Sequence, residues 1–261
     1  MSANLQAVVF DWAGTMIDFG SRAPVVALLK LFDGFDVPIS EAEARADMGM
    51  AKRDHIAAIL AQPRVAAAWA ARYGKTPDVT DGDRLFARIT PLMQPAARET
   101  AVLIPGAADV VRQLRGQGVK IGSCTGYTRE MMADILPAAA AQGYTPDCLV
   151  CAGDTAFGRP SPLMLWKNMV ELGVWPAAAV VKVDDAAVGI AEGRSAGTWT
   201  VGVAASGNSV GLSAEALAVL PVEERADRIA SARAELLAAG AHVVIDTVAD
   251  LPAVLTGFAY G

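Results

Sequence analysis

Short apolar runs recur along the chain, at residues 7–10, 119–124, 148–152, 179–183, 198–203 and 242–245. They are rich in Val and Ile and do not alternate with polar positions. Strands of that kind are buried on both faces, as in a parallel sheet lying between two layers of helices. Helical periodicity fills 106–117, 129–142, 162–172 and 187–196. The alternation predicts an α/β fold, a doubly wound, Rossmann-like parallel-sheet core.

The rhythm breaks once. Roughly 85 residues separate the first run from the helix that begins near Pro105, far beyond the ~12–15 residues of a structureless loop. Helical patterns at 23–32, 40–48, 52–60, 63–73 and 81–92 fill the gap. The expected organisation is a core domain from residues 1–20 and 100–261, with an inserted helical cap domain over 21–99. A second helical excursion, 213–238, precedes the last apolar run. Its charged residues between Glu223 and Glu235 read as a solvated face.

Composition narrows the function classes. With 53% hydrophobic and 19% charged residues, the chain can bury a sizeable core. The net charge is −6 without a run of Lys and Arg, so no basic stripe marks a nucleic-acid partner, and a small-molecule substrate is expected. No stretch reaches the ~18–20 apolar residues of a membrane span, and residues 1–6 lack the basic-then-apolar pattern of a secretory leader. Three cysteines, an odd number, fit a reducing cytoplasm. Cys148 and Cys151 stand three apart in a predicted strand. They therefore point to opposite faces, and neither a disulfide nor a shared metal is expected of them. Trp69, Trp166 and Trp175 read as packing residues. The Gly- and Ser-rich segment 202–211 has neither dinucleotide nor P-loop spacing and reads as a loop.

Ligands of an open parallel sheet bind beyond the carboxyl ends of its strands. The first predicted strand ends in Asp11, Trp12, Ala13, Gly14 and Thr15. The second ends in Thr125, Gly126 and Tyr127, the third leads to Asp154 and Arg159, and the fourth ends in Asp184 and Asp185. A carboxylate such as Asp11 can attack phosphorus and form an acyl phosphate, provided a cation offsets the repulsion between two anions. Asp11, Asp184 and Asp185 offer the hard oxygen ligands that Mg²⁺ prefers. Thr125 with the Gly126 amide can bind phosphoryl oxygens, and Arg159 can neutralise their charge.

In their order and placement these four groups resemble the motifs of the haloacid-dehalogenase-like superfamily. Its phosphatases carry a second aspartate two residues after the nucleophile, as general acid; here that position is Ala13, which transfers no proton. The string from Phe10 to Thr15, residues 121–130, Gly158 to Pro160, and 193–203 are similar to those of the phosphonoacetaldehyde hydrolases, or phosphonatases. Residues 48–55 resemble that family's cap stretch, whose lysine forms a Schiff base with the substrate aldehyde. The likeness places that role on Lys52. It covers nearly the whole chain.

The resemblance implies cleavage of the carbon–phosphorus bond of phosphonoacetaldehyde to acetaldehyde and phosphate. Asp11 is then the nucleophile, Thr125, Gly126 and Arg159 bind the phosphoryl group, and His55 and Tyr127 are candidates for proton relay. Mg²⁺ is held by Asp11, the Ala13 carbonyl and Asp185, with Asp184 acting through water, and the protein is a homodimer joined through its caps. The Asp184–Asp185 pair departs from the Gly-Asp form common in the family. A carbon–halogen hydrolase also dispenses with the second acid, but it needs no metal, and the acidic pair weighs against it. Ala13 weighs against a phosphomonoesterase. A catalytically silent phosphate-binding protein is the alternative from another class.

Overall fold

The computed structural model describes residues 5–258; residues 1–4, part of the segment read as lacking a leader, lie outside them. The six apolar runs are strands β1 (Ala7–Phe10), β2 (Lys120–Thr125), β3 (Cys148–Cys151), β4 (Val180–Asp184), β5 (Trp199–Val203) and β6 (Val243–Ile245). They form one parallel sheet in the order β3-β2-β1-β4-β5-β6. All four β1 side chains are fully buried. Ala7 and Val9 pack on one side with Met164 and Leu165, while Val8 and Phe10 join the large cluster on the other. That two-sided burial is why β1 shows no alternation.

Helices α1 (Arg22–Asp33), α2 (Glu41–Arg45), α3 (Lys52–Ala61), α4 (Pro63–Tyr73) and α5 (Val79–Thr100) follow β1 and form the insertion. Around the sheet lie α6 (Ala107–Gly116), α7 (Arg129–Met132), α8 (Ile135–Ala141), α9 (Leu163–Leu172), α10 (Ala187–Ala196), α11 (Ala214–Ala218), α12 (Val222–Ala238) and α13 (Leu251–Leu255). No helix among the described residues is long and apolar enough to cross a membrane.

Three helices differ from the sequence expectation, two because of a proline and one in spite of two. The helix expected over 129–142 is split into α7 and α8, because Pro137 has no N–H to donate to the carbonyl four residues back. The excursion over 213–238 is split into α11 and α12 at Pro221. Conversely, α5 runs on to Thr100 through Pro91 and Pro95. An interior proline costs about 3 kcal/mol. Leu85, Ile89 and Met93 are buried along α5, with Phe86 and Leu92 packed beside them. At roughly 1.5–3 kcal/mol each, their burial outweighs the two prolines.

Two of the three tryptophans also depart from expectation. Trp69 is buried against Phe35 and Tyr73, but Trp166 is 45% and Trp175 77% exposed. Trp175 lies within the α9–β4 connection and is left at the surface. Cys151 and Cys148 belong to clusters on opposite faces of the sheet, and both are free thiols.

Candidate active site

Register brings the predicted site together. Phe10 lies beside Val183 on one flank and Ser123 on the other, so Asp11 emerges level with Asp184 and close to Thr125. A small cavity opens at this end of the sheet. The core lines it with Asp11, Ala13, Thr125, Gly126, Tyr127, Arg159 and Asp185; the insertion contributes Met48, Gly49 and Lys52. Asp184 stands behind this wall, fully buried. His55 does not line the cavity. It is buried one turn beyond Lys52, and its Nε2–H donates to the Ala46 carbonyl at 2.7 Å.

The core wall is a network of buried charges. Arg159 Nη1 lies 2.8 Å from Asp11 Oδ1 and 3.5 Å from Asp184 Oδ2, and its Nε reaches Glu192 Oε2 at 3.0 Å. Its Nη2 donates to the Cys124 carbonyl at 2.7 Å. Lys182 Nζ bridges Asp184 at 2.9 Å and Glu192 at 3.3 Å. Asp185 accepts from Thr15 Oγ1 at 3.1 Å and from the Asn208 backbone amide at 2.8 Å. The Thr125 hydroxyl accepts from the Tyr127 amide at 3.1 Å, which fixes the turn after β2.

Three effects set the acidities. Burial raises Asp11 to about 6 even though Arg159 opposes it. Burial, with the charges of Asp11 and Asp184, pushes Asp185 well above the ordinary carboxylate range. Asp184 goes the other way: the cost of burial is outweighed by Lys182 and Arg159, which hold it below that range. On the opposite wall Lys52 is brought down to about 8, chiefly by burial. It also opens α3 as its first residue, where the positive end of the helix disfavours a further cation. Its ammonium lies 5.4 Å from the Tyr127 ring centre. Burial and the Lys52 charge lower His55 to about 3, so its imidazole is neutral. Burial raises the Tyr127 phenol well above its usual range.

Asp11, Asp184 and Asp185 each bring a carboxylate oxygen within 4.8 Å of the others. Buried carboxylates so close repel one another, as the rise at Asp185 records, and a divalent cation would relieve the repulsion. The donor set is all oxygen, which fits Mg²⁺.

Gly126 does more than offer an amide. A Cβ there would stand 2.5 Å from the Met50 carbonyl oxygen and 2.8 Å from that of Gly49, so only glycine lets the insertion rest on the β2 turn.

Sequence reading missed Lys182, Glu192 and Asn208. A lysine inside an otherwise apolar strand was a usable signal for the first. Glu192 gave none, since it meets Arg159 and Lys182 only once α10 packs against β4.

A family model for haloacid dehalogenase-like hydrolases matches residues 5–197. Over 248 residues the chain is 53% identical to the phosphonoacetaldehyde hydrolase of Paraburkholderia xenovorans, covering 95% of this chain and 93% of that one. The phosphonoacetaldehyde hydrolase of Vibrio cholerae is 46% identical, with 98% and 95% covered. The chain belongs to the phosphonoacetaldehyde hydrolase family. A crystal structure described as a phosphonoacetaldehyde hydrolase like protein from Oleispira antarctica superposes with a TM-score of 0.97 at 43% identity, covering 98% of this chain and 93% of that one. A putative β-phosphoglucomutase from Bacteroides vulgatus, at 17% identity and a TM-score of 0.69, shares the fold. As a family member the protein is an enzyme, a hydrolase, whose α/β core is the haloacid dehalogenase-like, Rossmann-type sheet.

Proposed function

We propose that the enzyme hydrolyses phosphonoacetaldehyde to acetaldehyde and phosphate, through a Lys52 Schiff base and an Asp11 aspartyl phosphate. One observation carries this reading: a buried, easily deprotonated lysine shares a cavity with a buried aspartate, while alanine stands where a general acid would be.

Direct rupture of a carbon–phosphorus bond would expel a carbanion. Lys52 avoids this by condensing with the aldehyde, losing water and leaving a protonated imine. Asp11 then attacks phosphorus, and the bonding pair withdraws into the imine to give a neutral enamine. No proton donor is needed at Ala13. Protonation of the enamine carbon and hydrolysis of the imine release acetaldehyde and free Lys52. Water attack on phosphorus regenerates the Asp11 carboxylate and yields phosphate. Arg159, Thr125 and the Gly126 amide bind the phosphoryl oxygens. The Tyr127 hydroxyl has no hydrogen-bond partner among the described residues and its ring lies beside the Lys52 ammonium, so we assign it to relaying the protons of the imine. We assign His55 to holding the α3 approach rather than to proton transfer, because its ring donates away from the cavity.

Asp11, the Ala13 carbonyl and Asp185 would hold Mg²⁺, with Asp184 behind them; when bound, the ion offsets the repulsion between Asp11 and the phosphonate. Residues 21–99 act as a cap over a core of residues 1–20 and 100–261, and they part to admit substrate. The same family likeness supports a homodimer joined through the caps, and three free thiols support a cytoplasmic setting.

Incubation with phosphonoacetaldehyde and Mg²⁺ should release phosphate and acetaldehyde in equal amounts. Chelation should stop release, and borohydride added with substrate should inactivate the enzyme and label Lys52. Turnover that survives borohydride would remove the imine from the scheme.

A further inference from the structure

A second set of contacts joins the insertion to the core, away from the reacting groups. Arg45, at the end of α2, is only 13% exposed in its side chain. Its Nη1 donates to the Gly20 carbonyl at 3.0 Å, the Asn208 carbonyl at 3.2 Å and Asn208 Oδ1 at 3.1 Å. Its Nη2 donates to the Gly211 carbonyl at 2.9 Å and, with Nε, to Glu41. Asn208 answers by donating Nδ2 to the Arg45 carbonyl at 3.2 Å. Gly211 makes room: at φ +70, a Cβ there would lie 2.7 to 2.9 Å from the guanidinium. One planar fork thus closes the first linker, an insertion helix and the loop after β5 into a single joint.

Both ends of this joint reach the cavity. The Asn208 amide holds Asp185 Oδ2. The residue after Arg45, Ala46, takes the His55 Nε2–H through its carbonyl, and His55 lies one turn from Lys52 on α3. We infer that Arg45 and Asn208 are positioning residues, a clasp through which closure of the insertion fixes Asp185 and seats the Lys52 helix together. The inference rests on the function proposed above. It gives the Gly- and Ser-rich loop after β5 a task that its sequence spacing does not reveal.

The test compares wild type with Arg45→Ala, Arg45→Lys, Asn208→Ala and the Arg45→Ala/Asn208→Ala pair. Turnover of phosphonoacetaldehyde is measured, and Mg²⁺ affinity is measured without substrate by calorimetry, with thermal unfolding as the check on folding. Arg45→Ala and Arg45→Lys should both lower kcat/KM by about 100-fold, the scale of a small misplacement far from the chemistry. Mg²⁺ affinity should fall about 10-fold, as when a partner of a metal ligand is lost. The double variant should be no worse than the worse single one. Wild-type kcat/KM in Arg45→Lys would reduce Arg45 to a charge and overturn the clasp; so would multiplying effects in the double variant or unchanged Mg²⁺ affinity. If Arg45→Ala fails to fold, Arg45→Lys and Asn208→Ala decide. If wild type does not act on phosphonoacetaldehyde, the functional reading fails, and the Mg²⁺ titrations still judge the clasp.

Discussion

The two walls of the cavity handle buried charge in opposite ways. On the core side Asp11, Asp184, Glu192, Arg159 and Lys182 lie in contact with one another, and each buried ion has a partner of opposite sign. On the insertion side Lys52 is as deeply buried, yet no ion pair reaches it among the described residues, and its acidity moves towards neutrality. Desolvation alone costs several kcal/mol per ion, and a group without a partner escapes that cost by giving up its charge. The core wall therefore keeps the charges that are paired, while Asp185, with no cation beside it among the described residues, is pushed towards its neutral acid. In the proposed reaction this wall binds the anionic group and the insertion wall supplies the amine. The proposed chemistry needs both and joins them where the helices α1–α5 meet the sheet.

The largest tests separate the two walls chemically. Asp11→Asn should lower phosphate release by on the order of 10⁴-fold or more, the scale of losing a covalent nucleophile. It should leave borohydride labelling of Lys52 by substrate intact. Lys52→Arg should abolish both labelling and turnover while the fold survives. Labelling lost in Asp11→Asn would mean that the walls do not act independently.

Stability gives the next contrast. Glu192→Gln leaves Arg159 and Lys182 short of a counter-charge, and denaturant unfolding should show a loss of about 3–5 kcal/mol. Lys52→Met removes an unpartnered ion, and the same measurement should place it within about 1 kcal/mol of wild type, or above it. Equal losses would erase the distinction.

The pH dependence sharpens it further. The Lys52 pKa is lowered to about 8, so its proton leaves sooner than from a free lysine, and the neutral amine gains as pH rises. Labelling by substrate and borohydride should accelerate about tenfold from pH 7 and level off above about 8. Between about 8 and the 10.5 of free lysine, the unfolded chain holds a proton that the folded one lacks, so this group makes the fold more stable as pH rises. Smallest of all, Arg98→Ala breaks an exposed pair with Asp134 and should cost less than about 1 kcal/mol in the same unfolding assay.

How much of this was legible varies with the range of the interaction. Strand ends could be read, because a parallel sheet collects Asp11, Thr125 and Asp184–Asp185 at one edge whatever its details. The Lys52 position came from likeness to a known family, since a lysine beside Arg53 in a polar helix looks solvated. Glu192 and Asn208 were hidden: one acts through the packing of α10 on β4, the other through an arginine more than 160 positions away. The breaks at Pro137 and Pro221 were local and readable, whereas the continuation of α5 through two prolines depended on packing that only the assembled cluster supplies.

Where Gly126 meets the Gly49 and Met50 carbonyls, main chain touches main chain. Along that contact no side chain can be trimmed to make room, and any added at Gly126 would prise the modules apart. The distance at which the insertion rests on the β2 turn is thus set there by covalent geometry. A lineage widening this contact would have to change loop lengths around residues 47–51, because at that point there is no side chain to shorten.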